Sequence, residues 1–341
     1  MPPSGTAPPP GSAETLDVGG WQVVIADGQA VLPEGMTHLP DRAFLGRTSL
    51  VSVAFPRSLV SIGSRAFVGC SSLAAINLHA GLTSIGSRAF SRCSALSSVT
   101  LPATLASIGN QAFFCCSSLV SINLPAGLTS IGSSAFYRCS ALSSVTLPVG
   151  LTSIGNQAFR GCSALVSATF PAGLTSIGSW AFQDCSALTH VTFPATLTSI
   201  GSRAFLGCSS LGSVAFPAGL TSIGEGAFWN CSYLSSITLP LPDGLSWAFY
   251  GSALSRVTVP TTATIRPYAF PPFNTCVLLR LSPAKMRWYE AADGALAYKR
   301  CRPLLYGWLE RAQIGLGSYG PEGAARKRDR EEFEGDFAPP L

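Results

Sequence analysis

Phe44, Phe67, Phe90, Phe113, Phe136, Phe159, Phe182, Phe205 and Phe228 follow one another at steps of 23 residues, and an Ala precedes each. Ile62, Ile85, Ile108, Ile131, Ile154, Ile177, Ile200 and Ile223 keep the same interval. Leu73 to Leu234 and Pro102 to Pro217 hold two more slots of the same unit, L-x-x-V-x-[LF]-P-x-x-L-x-S-I-G-x-x-A-F-x-x-C-S-x. Phe249 and Phe270 each follow the preceding Phe by 21, so the register shortens near the end. A period of 23 suits neither a heptad nor a propeller blade; it fits one turn of a solenoid.

The unit itself predicts the coil. Strand alternation places Val99 and Leu101 on one inward face with Leu96. Pro102 ends that strand, because it has no N–H to give to a ladder. A second extended piece follows at 105–108, Gly109 turns the chain, and Ala112-Phe113 fills the corner. One such coil has too little area to bury its own apolar face. About ten stacked coils share a core and extend two parallel ladders at about 4.8 Å per coil, with turns or 3-10 corners and little helix before the C-terminus.

The unit resembles the BspA-like class of leucine-rich repeats, over about 35–270. That resemblance implies a non-catalytic protein used in adhesion and protein–protein interaction, with bacterial members often on cell surfaces. This chain departs from them at its start. MPPSGTAPPPGSAET has neither a basic opening nor an apolar stretch, and so reads as a disordered Pro/Gly/Ser lead rather than a secretory signal.

Composition narrows the classes. Apolar residues make up 47% and charged residues 11%, too apolar for a disordered chain. Net charge is +5, too weak to imply nucleic acid, and no apolar run approaches the length of a membrane span. An intracellular, cytoplasmic protein is expected, with Arg326-Lys327-Arg328 as the one hint of a nuclear address. The charges are unevenly placed: residues 1–275 carry 11 Arg, 8 acids and no Lys, whereas 276–341 carry 11 Lys or Arg and 9 acids. The expected organisation is a lead over 1–15, an N-terminal cap over 16–34 that includes Trp21-Gln22-Val23-Val24-Ile25, and a solenoid over 35–275. A C-terminal cap follows over 276–315 with a helix near 303–312, and then a charged disordered tail over 316–341. The caps are needed because terminal coils expose an apolar face.

Eight of the eleven cysteines share one slot: Cys70, Cys93, Cys116, Cys139, Cys162, Cys185, Cys208 and Cys231. Metal binding wants ligands converging on a point, and one sulfur per coil makes a line. Disulfides between neighbouring coils meet nearly parallel Cβ vectors, an unfavourable geometry. A row of small buried side chains is expected instead. Cys115 lies off that row and is the candidate reactive thiol; Cys276 and Cys301 find no assignable partner.

The histidines, His38, His79 and His190, do not recur. Asp184, Cys185 and His190 superficially suggest a Cys–His pair, but Cys185 occupies the common slot. GLGSYG at 315–320 is followed by Pro321 rather than by a helix, against a dinucleotide site. Asn230-Cys231-Ser232 matches a glycosylation sequon but falls inside the repeat consensus. No catalytic constellation, metal site or cofactor site is expected.

Binding residues are sought where the copies differ. The outward row of the first strand is bland, running Ala54, Asn77, Thr100, Asn123, Thr146, Thr169, Thr192, Ala215 and Thr238. The slots flanking each Ala-Phe vary most, and stacking aligns them into a ridge containing Arg88, Arg92, Phe114, Tyr137, Arg138, Arg160, Trp180, Arg203 and Trp229. Aromatic residues mixed with Arg resemble an interface hot spot. The expected function is a monomeric scaffold binding a protein partner whose identity the sequence does not give. Two alternatives are adhesion or recognition at a cell surface and, remotely, ice or mineral binding by the Ser/Thr rows.

Overall fold

The structure is a computed structural model and describes residues 13–240, 247–260 and 276–280. The helix expected near 303–312 and the tail over 316–341 lie outside the described residues, as does most of the lead. Parallel strands stack as a solenoid of 23-residue coils, and no helix occurs among the described residues.

Each coil has three sides. The first is a three-residue strand, such as Ser121–Asn123, paired in parallel and in register with Ser144–Thr146 of the next coil. The second is a two-residue Ser-Ile strand. Eight of these, from Ser61–Ile62 to Ser222–Ile223, together with His38–Leu39 form one unbroken nine-stranded parallel sheet. Between the two sides, the carbonyl of the slot proline closes a tight turn, as in Leu105 N–H to Pro102 O at 3.1 Å. The third side is the Ala-Phe corner, a run of turns in which N–H groups bond to the next coil: Arg88 to Asn110 O, Phe90 to Ala112 O and Arg92 to Phe114 O, at 2.7–2.9 Å. The corner is therefore a third hydrogen-bonded column, satisfying backbone that would otherwise be stranded without partners.

The core is a file of rings. Phe44, Phe67, Phe90, Phe113, Phe136, Phe159, Phe182, Phe205, Phe228 and Phe249 are fully buried. They stack nearly parallel, in nine steps of 5.1–5.5 Å between centroids. Phe55, Phe170, Phe193 and Phe216, from the first side, meet the file edge-on, the arrangement ring quadrupoles favour. Leu96 is fully buried, whereas Val99 and Leu101 are only partly buried against the core. The inward face at that coil is thus shallower than alternation predicts.

The glycine of Ser-Ile-Gly does not act by turning the chain. Its φ is not left-handed in any full coil. A Cβ on Gly86 would stand 2.7 Å from the carbonyl carbon of Gly63 and the nitrogen of Ser64, and one on Gly109 would stand 2.6 Å from Ser87 N. The slot needs glycine because consecutive coils touch backbone to backbone there.

At the N-terminus, β1 (Glu14–Val18) and β2 (Trp21–Ala26) form an antiparallel hairpin, and β3 (Gln29–Val31) pairs β2 on one side and Ser52–Ala54 in parallel on the other. The hairpin thereby covers the open edge of the first ladder, an edge that would otherwise invite pairing with another chain.

Candidate functional site

The corner column sets the geometry of the variable slots. The residue before Ala-Phe is left-handed at Arg42, Arg65, Arg88, Gln111, Ser134, Gln157, Trp180, Arg203 and Trp247, with φ of 53–60°. The second residue after Ala-Phe is left-handed as well, as glycine at Gly46, Gly69, Gly161, Gly207 and Gly251 and as a side-chain-bearing residue at Arg92, Cys115, Arg138, Asp184 and Asn230. L-residues adopt this region at a cost of about 1–2 kcal/mol each. Many of the slots that vary between copies are therefore those where the backbone asks for glycine and the chain supplies something larger.

The side chains on this edge fall into clusters. Phe114 and Tyr137 stack at 4.7 Å with an interplanar angle of 3°. The guanidinium carbons of Arg138 and Arg160 lie 5.5 and 5.6 Å from the centroid of Tyr137, within cation–π range. Four of the nine ridge residues thus form one unit. Trp229 forms another with Trp247 and Tyr250, at 6.1 and 5.8 Å. Tyr250 occupies the slot of Trp229 one short coil later, and Trp247 the slot of Trp180 three coils later. The Ala248-Phe249 pair marks their register, but the two-residue slip hides them from a strict 23-residue alignment.

Arg88 bonds through Nε to Gln111 Oε1 on the next coil. Arg92 is exposed, whereas Trp180 and Arg203 are partly exposed with no ring contact or ion pair among the described residues. The ridge is interrupted in places: Ser91 and Ser134 are buried, and Ser134 Oγ donates to Gln157 Oε1 at 3.1 Å. Two shallow troughs lie along the same edge. One, of about 490 Å³, is lined by Asp41, Arg42, Ser64, Arg65, Ser87 and Arg88; the other, of about 380 Å³, is lined by Ser87, Arg88, Asn110, Gln111, Ser133 and Ser134. Their floor is braced by Asx side chains that reach the following coil, Asp41 Oδ1 accepting from Ser64 N–H and Asn110 Oδ1 from Ser133 N–H.

The eight slot cysteines are fully buried. Each thiol donates to the carbonyl of a Phe 26 residues earlier, at 3.1–3.2 Å. Burial pushes the Cys70 thiol up to about 12 and those of the remaining slot cysteines higher still. These groups stay protonated and serve packing. Cys115 is only partly buried, yet desolvation raises its thiol too, with Arg138 and Arg92 opposing the shift. A reactive cysteine needs the reverse balance. The Cys–His suggestion dissolves in the same way: Cys185 donates to Phe159 O inside the core, and His190 sits exposed on the first ladder against Thr189 Oγ1.

The opposite faces are uncharged over most of their length. The row from Ala54 to Thr238 stands exposed on the first ladder. Beside the second ladder, threonine hydroxyls bond back along the stack, Thr175 to Thr152 O and Thr198 to Thr175 O at 3.0 Å. Among the described residues no group of three or more His, Cys, Asp or Glu is placed to hold a metal ion, and no helix is long and apolar enough to cross a membrane.

Solved structures that this fold matches include leucine-rich repeat proteins and a bacterial antigen. One, from Bacteroides ovatus, aligns with a TM-score of 0.51 and 24% identity over 81% of this chain and all of the other. The pneumococcal vaccine antigen PcpA aligns with a TM-score of 0.53 and 21% identity over 77% of this chain and 76% of the other. A protein from Eubacterium ventriosum gives 0.53 and 20% over 79% and 85%. At these identities the likeness is one of fold. Comparison with curated proteins finds no match. The family model of the BspA type leucine rich repeat region matches residues 37–166 and 152–277, with six copies. That span is well over half of the chain, which therefore belongs to the BspA-type leucine-rich repeat family.

Proposed function

We propose that the protein is a non-catalytic scaffold that binds a protein partner through the Ala-Phe edge of its solenoid. The supporting observation is the cluster of Phe114, Tyr137, Arg138 and Arg160. It presents large, rigid rings and guanidinium groups at the surface of a hydrogen-bonded column that cannot easily rearrange. Aromatic and Arg side chains held in place lose little entropy on binding, which is why such residues dominate interface energetics. The faces made of Ser, Thr and Asn offer no comparable anchors.

Affinity capture with the full chain tests this reading. Wild type should retain partner proteins that a Tyr137→Ala/Trp180→Ala/Trp229→Ala variant loses, while the two share the same far-ultraviolet circular dichroism. Capture unaffected by the triple substitution refutes the assignment. Adhesion at a cell surface would use the same edge in a different place. Fractionation of tagged protein separates the two, since a cytoplasmic scaffold leaves the membrane and wall fractions empty.

A further inference from the structure

From Arg42 to Gln183 the chain contains eight Arg and not one Asp, Glu or Lys. Of the eight, Arg47 pairs with Glu14 at 2.6 Å. Arg57 follows the proline of its coil, away from the corner. The other six, Arg42, Arg65, Arg88, Arg92, Arg138 and Arg160, all stand on the Ala-Phe edge, and none makes an ion pair among the described residues. Five of them hold left-handed backbone, with φ between 53° and 61°. Other coils hold the same left-handed slots with uncharged residues, at Gln111, Ser134 and Gln157, so what sets this strip apart is its guanidinium groups. Asp41 is the one carboxylate lining the trough that Arg42, Arg65 and Arg88 share.

We propose that the strip from Arg42 to Arg160 binds an extended acidic peptide segment of the protein partner. This rests on the reading of the edge as a protein-binding surface and gives that partner a chemistry. All the cations are Arg, whose planar fork matches carboxylate oxygens two at a time. Along the file Arg42, Arg65, Arg88 the coils advance by 5.1 Å per step at their Phe rings. Side chains on one face of an extended peptide recur about every 6.7 Å, a mismatch that flexible arginine stems absorb over three coils. The neighbouring slot supplies apolar contacts at Leu45, Val68, Phe114 and Tyr137, with Leu45 48% exposed. A peptide mixing carboxylates with apolar side chains uses both rows.

Other polyanions use less of the surface. A sulfated glycan would leave the apolar row idle. Single-stranded nucleic acid binds by stacking bases on free ring faces, whereas the Phe114 and Tyr137 faces stack on each other and Arg138 and Arg160 lie over Tyr137, so that these half-buried rings are left for side-on apolar contact.

The test is fluorescence anisotropy of the full chain with a labelled peptide of alternating Glu and Leu. The comparison probes are its Gln-for-Glu counterpart, a heparin fragment and oligothymidylate. The Glu peptide should bind, weaken as salt rises and lose about tenfold in affinity in Arg42→Gln/Arg65→Gln/Arg88→Gln. Gln already occupies this slot at Gln111 and Gln157 with φ of 59°, so the variant keeps the fold. Equal binding of the Gln peptide, undiminished binding by the variant, or tighter binding of heparin or oligothymidylate overturns the proposal. If the Glu peptide fails while the Tyr137/Trp180/Trp229 variant still loses its captured proteins, only the acidic class is wrong. If capture survives that variant, the edge itself is misassigned.

Discussion

The thiol of Cys139 donates to the backbone carbonyl of Phe113 across a coil boundary, at 3.2 Å. Seven equivalent pairs repeat this contact along the solenoid. The contact has a consequence at high pH. In the unfolded chain the thiols ionise near pH 8.5–9, whereas burial holds the folded ones well above that, to about 12 at Cys70 and beyond it elsewhere. A folded-state pKa raised above the unfolded value gives stability that is complete below pH 9 and falls as pH rises toward the folded value. Each buried thiol then withdraws roughly 1 kcal/mol per pH unit. Denaturant midpoints measured from pH 8 to pH 11 should fall steeply, and Cys139→Ala should flatten the slope. A flat profile up to pH 11 contradicts the buried-thiol assignment.

The ring file is expected to respond most strongly at its middle. Phe136 is fully buried and stacks on Phe113 and Phe159. Phe136→Ala should cost about 3–5 kcal/mol. Because each coil contacts only its neighbours, the loss should also divide the array. Urea unfolding followed by circular dichroism should then show two transitions where wild type shows one.

Two glycine substitutions separate close approach from ordinary space. A Cβ on Gly86 would meet backbone atoms of the previous coil at 2.7 Å, whereas one on Gly127 meets its nearest atom, Ala103 O, at 3.8 Å. Neither glycine has a left-handed φ. Gly86→Ala should destabilise by about 1–3 kcal/mol through forced separation of the coils. Gly127→Ala should be neutral or stabilise by about 0.4–1 kcal/mol, since alanine restricts the unfolded chain. Thermal melts of the two variants check the order; equal losses would show that coil contact is not what the slot requires.

Arg92, at φ 61°, offers the opposite trade. Arg92→Gly relieves a left-handed backbone and should raise stability by up to about 1 kcal/mol. The same change should weaken partner binding, because it removes an exposed guanidinium from the edge. A variant that loses stability would mean that the Arg92 side chain supports the fold.

Much of this architecture is legible in the sequence because the physics repeats. Period 23, the Pro that ends a strand and the invariant Ala-Phe all follow from one coil's needs, so nine copies amount to nine readings of one pattern. The parts that escape are those without a one-letter signature. Gly109 looks like a turn residue, yet it is a contact between two backbones from different coils, which only the stacked geometry reveals. Val99 fits strand alternation yet is only partly buried, whereas Ile76 and Ile122 in the same slot are buried. Ser91 and Ser134 read as surface variation and prove buried. Trp247 and Tyr250 belong to the aromatic edge but stand two residues out of register. Left-handed backbone at Arg88 or Trp180 leaves no trace in residue type, because Arg and Trp are not residues that favour it.

The most direct test of the central claim compares two faces of the same rod. One variant, Tyr137→Ala/Arg138→Ala/Arg160→Ala, strips the Ala-Phe edge; another, Asn123→Arg/Thr169→Arg, obstructs the exposed row of the first ladder. Quantitative affinity capture with both, beside wild type and at matched thermal stability, should show partner binding lost in the first and kept in the second. Retention in the first with loss in the second would place the binding surface on the strands and contradict the account.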